Sequence, residues 1–238
     1  VGSGRNLVTV SMTLYRSNTF LALLAAFFYF VASSSAAEPS QRGGITFTVI
    51  ALSNLPYENL YYRNGQKVTP IEIRKGRRSE SYSLASAEFI ELLTDHEDPE
   101  LQYRLIAKAP LVTGTSQMLY FLRESGSNKE GTRPLGLFGI DDSEAAFPDS
   151  SFRFINFINA PLLLEFNKKR FGLKPGQSEV HRLNLTEAGS FTSFLVKDIQ
   201  GKVLGGTRLF SHAASREMVL IFPPKQGKKR LDIRYFSD

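Results

Sequence analysis

The chain has 238 residues, 29 basic and 23 acidic side chains, three His, no Cys and no Trp. A hydrophobic share of 42% and a charged share of 22% belong to a folded protein rather than a disordered one. The lack of cysteine excludes disulfide scaffolds, thiolate zinc sites, iron–sulfur clusters, cysteine nucleophiles and a lipid-modified N-terminal Cys.

Residues Phe20–Ala32 form the only long apolar run, 13 residues without a charge. That is short of the ~20 a membrane-spanning helix needs. Arg16 precedes it and Ser33-Ser-Ser-Ala-Ala37 follows. Small residues at Ser35 and Ala37 fit a secretory cleavage site near Ala37, with Glu38 first in the mature chain and Met12 as a start. A retained anchor, with the run stretched through the serines, is the alternative. Loss of residues 1–37 lowers the net charge from +6 to +4, because Arg5 and Arg16 leave and no acid does. The expected location is therefore periplasmic or extracellular, with membrane contact only through the signal segment. A cysteine-free exported chain also points to a bacterial source.

The mature part repeats itself, the mark of a duplicated structural unit. Ile45–Pro56 lines up with Ser150–Pro161, Leu60–Asn64 with Leu163–Asn167, and Phe89–Leu93 with Phe191–Leu195. Arg104–Ala109 follows against Arg208–Ala213, Gln117–Leu122 against Glu217–Phe222, and Leu135–Asp142 against Leu231–Asp238. The blocks keep one order, which predicts two domains of ordinary size, 44–142 and 150–238, joined by the linker 143–149.

Each copy reads as β. Short runs of Phe, Tyr, Val, Ile and Leu alternate with polar residues, and Gly, Pro, Asn and Asp separate them. Phe47, Val49 and Ala51 point one way; Thr46, Thr48 and Ile50 point the other. Asn64-Gly65 predicts a type I′ hairpin turn, and Asp198–Gly201 a second turn. Leu84–Leu93 looks helical alone, but Gly189 and Thr192 in its repeat partner disfavour a helix, so 88–94 is expected to be a strand. Seven or eight short strands per copy predict an all-β chain of two tandem immunoglobulin-like β-sandwich domains after an N-terminal signal peptide.

The join Asp141-Asp-Ser-Glu-Ala-Ala-Phe-Pro-Asp-Ser-Ser-Phe-Arg-Phe-Ile-Asn-Phe157 carries paired acids, a Phe-Pro and an Arg-Phe-x-Asn strand. It resembles uncharacterised exported bacterial proteins with tandem immunoglobulin-like repeats. The resemblance implies a fold and no activity.

Several residues invite a chemical reading. Asp95-His-Glu-Asp-Pro-Glu100 is the densest acidic patch, but its spacing matches no calcium loop and His96 alone makes no zinc site. His96, His181 and His212 are the only histidines; none sits in a G-x-S-x-G elbow, and His181 and His212 align with Ser81 and Lys108 of the first copy. Glycosidase carboxylates could be drawn from Glu91, Asp95, Asp141, Asp142, Glu165 or Glu187, with no pair singled out. Gly201–Thr207 has neither phosphate-loop nor dinucleotide spacing and lies in a hairpin. Asn184-Leu-Thr186 is a glycosylation sequon that matters only in a eukaryotic secretory route. Tyr57, Tyr61 and Tyr62 suggest a sugar platform, yet adjacent strand residues face opposite sides, so at most one of Tyr61 and Tyr62 joins Tyr57. The basic clusters Arg74–Arg78 and Lys225–Arg230 lie on glycine turns without interleaved aromatics, which argues against a nucleic-acid partner.

The expectation is an exported, non-enzymatic binding or envelope-structural protein, with no catalytic, cofactor or metal residue assigned and no cofactor. Its partner is an unidentified protein or an anionic envelope polymer. The alternative is a carbohydrate-binding module or weak carbohydrate-active hydrolase.

Overall fold

A computed structural model describes residues 44–238 except 86–87, 99, 125–134, 184–188, 213 and 238. The signal-segment reading therefore lies outside the described residues, as do Glu187 and the 184–186 sequon. No helix among the described residues is long and apolar enough to cross a membrane.

The described chain is all-β. Residues up to the linker form β1 (Ile45–Ala51), β2 (Tyr61–Asn64), β3 (Lys67–Pro70), β4 (Tyr82–Leu84), β5 (Phe89–Asp95), β6 (Tyr103–Pro110), β7 (Gln117–Glu124) and β8 (Leu135–Asp141). The rest form β9 (Ser151–Asn156), β10 (Leu162–Phe166), β11 (Lys169–Leu173), β12 (Ser178–Arg182), β13 (Phe191–Lys197), β14 (Val203–Phe210), β15 (Arg216–Phe222) and β16 (Asp232–Ser237). The 88–94 segment is strand β5, as its repeat partner implied.

Four sheets of four strands result. The orders are β4-β1-β7-β8 and β3-β2-β5-β6, then β12-β9-β15-β16 and β11-β10-β13-β14. The second pair repeats the first with eight added to each number. In both, the first strand runs parallel to the seventh (β1 with β7, β9 with β15), and the other pairs are antiparallel.

Side-chain parity decides how the sheets stack. Phe47, Val49, Met118 and Tyr120 face the β3-β2-β5-β6 sheet and pack on Tyr62, Ile90 and Leu92. The alternate residues Ile50, Leu119 and Phe121 face the other way and meet Ile155, Met218, Leu220 and Phe222 of the second half. Phe152, Phe154, Val219 and Ile221 then face Leu164, Phe166, Phe194 and Val196. The sheets β4-β1-β7-β8 and β12-β9-β15-β16 are thus covered on both faces, which explains why their central strands read as nearly unbroken apolar runs. Every residue of β9 is buried. The outer sheets alternate, as sheets with one wet face do. Gly43–Asp238 accordingly forms one compact unit.

Register corrects the alignment read from the sequence. Phe47 pairs with Met118, whereas Phe152 pairs with Glu217, so Glu217 occupies the place of Met118. Aligning Met118 with Met218 matches side chains that face different cores. A slip of one residue moves a strand's side chains to the opposite face. Leu163, aligned with buried Leu60, is likewise exposed. Phe89 faces Pro110 and Phe191 faces Phe210, so Arg208 stands where Lys108 does and His212 lies beyond the strand. Phe47 pairs with Tyr82 and Phe152 with His181, so His181 replaces Tyr82, not Ser81.

The hairpin turn also differs from expectation. Asn64 pairs with Lys67, so the central residues are Gly65 and Gln66, and of the two only Gly65 has a positive φ, 62°. That is a II′-type pattern. Both φ angles are positive instead at Asn167 (50°) and Lys168 (61°), the turn between β10 and β11.

Candidate functional site

The residues nominated from sequence do not converge on one place. Asp95 accepts a hydrogen bond from Asn59 Nδ2 at 2.7 Å. His96 Nδ1 accepts the Asp98 N–H at 2.9 Å and Asp98 Oδ1 accepts the Glu100 N–H at 3.0 Å, which makes the acidic stretch a self-bonded turn. Among the described residues no group of three or more His, Asp or Glu could hold a metal ion. His181 lies against Phe171, with ring centroids 4.0 Å apart, and burial lowers its pKa. His212 packs edge-on to Phe210.

Three of the nominated carboxylates, Glu91, Glu165 and Asp141, are shifted toward the anion. Glu91 on β5 takes ion pairs from Lys108 and Arg63, both at 3.0 Å, and the Lys108 bond leads in lowering its pKa. Glu165 on β10 is flanked by Lys197 and Arg170, both at 2.7 Å, and is lowered for the same reason. Burial pushes Asp141 up, but hydrogen bonds from Thr115 and Ser143 outweigh it and leave its pKa lowered. A general acid needs the opposite shift.

The motif at the join gathers into a clasp between the halves. Asp142 is fully buried and pairs with Arg78 at 2.6 Å. Arg153 donates to the carbonyls of Asp141 (2.6 Å) and Ala146 (3.0 Å), and Arg216 donates to the Asp142 carbonyl (3.1 Å). Both guanidiniums lie over the buried Phe147 ring, 4.4 and 5.3 Å from its centroid. Burial pushes Arg153 down to about 10. The paired acids, the Phe and the Arg-Phe strand are thus one interlocked structural unit.

Among the described residues, two open grooves are lined by aromatic side chains. The first, about 560 Å³, lies by β2, β3 and β4 and is lined by Tyr57, Tyr61, Tyr82, Glu58 and Glu72. One of the adjacent tyrosines does join Tyr57. Its neighbour Tyr62 is buried edge-on against Phe47 at 5.1 Å.

The second groove, about 510 Å³, opens between β14 and β16, at the edge of the second half. Phe210, Tyr235, Leu231, Ile233, Arg208 and Arg230 line it. Two bonds join its walls: the Leu231 N–H donates to the Leu204 carbonyl at 3.5 Å, and the Tyr235 hydroxyl to the Phe210 carbonyl at 2.9 Å. Between them Gly205 keeps the wall low, since a Cβ there would lie 3.4 Å from Ile233 Cδ1. Gly205-Gly206 lies in the Gly201–Thr207 stretch that lacks phosphate-loop spacing. The usable signal was a glycine pair within a strand, which marks close approach.

No family model and no curated protein matches the chain.

Proposed function

We propose that the chain is an exported, non-enzymatic binding module made of two immunoglobulin-like β-sandwich domains, 44–142 and 150–238, joined by 143–149. The repeated strand order, with its parallel first and seventh strands, supports the duplication. The observation that carries the binding role is the groove between β14 and β16. It is open, aromatic and flanked by Arg208 and Arg230, for which the described residues supply no carboxylate partner. Ion-paired, acid-shifted carboxylates and dispersed histidines support the non-enzymatic part.

The test is an assay of the purified chain against chromogenic glycosides, esters and phosphomonoesters, beside a binding screen of peptides, glycans and envelope polymers. Saturable binding without turnover is the expected result. Turnover abolished by His181→Ala or by Glu91→Gln overturns it. Mass spectrometry of the protein from an exporting host is expected to place the new N-terminus near Glu38; an intact N-terminus overturns cleavage.

A second reading, a carbohydrate-binding module, is favoured by the tyrosine groove. Its tyrosines sit beside two carboxylates on a concave surface, the arrangement that sugar stacking and hydroxyl hydrogen bonding use. Glycan binding lost in Tyr61→Ala and kept in Arg208→Glu would support it.

A further inference from the structure

We infer that the outer edge of β14 is a strand-addition site for an extended peptide whose side chains alternate between apolar and acidic. The inference rests on the binding-module reading and names the partner's chemistry.

The backbone supplies the first part. Strand β14 ends its sheet, so one side of it is paired with no strand; there the Leu231 N–H and the Tyr235 hydroxyl reach the Leu204 and Phe210 carbonyls. Ser211 bonds to Gly189 and Ser190, on the β13 side, whereas the Phe210 carbonyl turns outward to Tyr235. Antiparallel strands alternate in this respect, so the N–H and C=O groups of Gly206 and Arg208 also turn outward. A row of outward donors and acceptors is complementary to a peptide main chain, which a sugar or an acyl chain cannot match along its length.

The side chains supply the second part. The groove beside that edge is walled by Leu231, Ile233 and Tyr235, which suits apolar residues at alternate positions of an added strand. Arg208 lies over the exposed Phe191 ring, 5.6 Å from its centroid. At the matching place in the first half, Lys108 lies over Phe89 but is neutralised by Glu91 at 3.0 Å. By register, Ser193 occupies the position of Glu91, so Arg208 lacks that counter-ion. Among the described residues Arg230, also at the rim, meets no carboxylate, while the nearby Asp232 is already held by Lys225 and Arg234. Charge complementarity thus asks for acids on the incoming strand. It also disfavours a second copy as occupant, because pairing β14 with β14 would gather two copies of Arg208 and Arg230 in one interface.

The experiment titrates the ¹⁵N-labelled full chain with an acetylated octapeptide of alternating Val and Asp, and with its Val/Lys counterpart. The Val/Asp peptide is expected to bind saturably and to slow amide exchange at Gly206 and Arg208 by about tenfold or more. Arg208→Glu and Arg230→Glu, both surface changes that leave the melting temperature in place, are each expected to weaken binding by about tenfold. Equal binding of the Val/Lys peptide overturns the inference. So does Val/Asp binding that leaves Gly206 and Arg208 exchange unchanged, or no peptide binding at all. If glycan or polymer binding persists in that last case, the binding-module reading survives the loss; substrate turnover would instead remove that reading.

Discussion

The edges of the two halves are built on one strand order and end differently. In the first half β6 lies against β8; in the second, β14 and β16 part and leave a groove. Both edges still use a tyrosine hydroxyl to hold the same carbonyl. Tyr120 of β7 donates to Pro110 at 3.4 Å, and Tyr235 of β16 donates to Phe210 at 2.9 Å. By register, Tyr120 corresponds to Val219 and Gly139 to Tyr235. The large ring has changed strands. In the first half it fills the interior and requires Gly139 beside it, where a Cβ would come within 2.5 Å of the ring. In the second it stands at the rim. One exchanged pair of positions therefore separates an edge filled from within from an edge left as a groove.

Breaking the shared frame should have the largest effect. Phe147→Ala removes a fully buried ring from the join and strips two guanidiniums of their aromatic face. Urea unfolding should show a loss of about 3–5 kcal/mol. The loss should appear in one cooperative transition; two separate transitions would mean that the halves do not share a core.

Asp142→Ala should follow closely. It leaves Arg78 without its buried carboxylate, at a cost of about 3–5 kcal/mol in the same assay. Asp142→Asn should cost less, because its amide oxygen still accepts a hydrogen bond.

The exchange of rings can be tested directly. Gly139→Ala should cost about 1–3 kcal/mol through overpacking against Tyr120. Adding Tyr120→Val, which recreates the Val219 side, should recover most of that loss. A double-mutant cycle that shows simple additivity would remove the argument that the two positions trade volume.

Tyr235→Phe should cost about 0.5–1.5 kcal/mol by deleting the bond to Phe210. The corresponding Tyr120→Phe should cost less, since its bond is longer.

The smallest effect concerns pH. Tyr82 and His181 share one place in the repeat, where the second half carries an imidazole. Burial lowers the folded-state pKa of His181 below its ordinary 6.5, so the unfolded chain binds the extra proton first. The contribution is present above pH 6.5 and is lost as pH falls through the lowered value. His181→Tyr should flatten the decline in melting temperature from pH 7 to 5; an unchanged decline would show that other groups govern it.

Much of this was legible from sequence. Runs of β-branched and aromatic residues between glycine, asparagine and proline marked the strands. The β5 segment, helical by itself, was read as a strand through its repeat partner. The two-way alternation of Phe47, Val49 and Ala51 against Thr48 and Ile50 already implied two faces, though not that both would be covered. The join motif was visible as a pattern and silent as to its role. Arg78 and Arg216, which complete the clasp, lie 64 and 74 residues from Asp142.

Strand existence and the repeated strand pattern follow from local chemistry, because β propensity and turn residues act over a few neighbours; strand order does not, since β1 lies beside the distant β7. Which face each side chain takes is settled by pairing between strands, where an error of one residue reverses every assignment. That is why two methionines that match by eye serve different cores. Whether a cation faces a carboxylate, as Lys108 faces Glu91, or a neutral side chain, as Arg208 faces Ser193, depends on the residue across the strand. Only the tertiary structure supplies that neighbour.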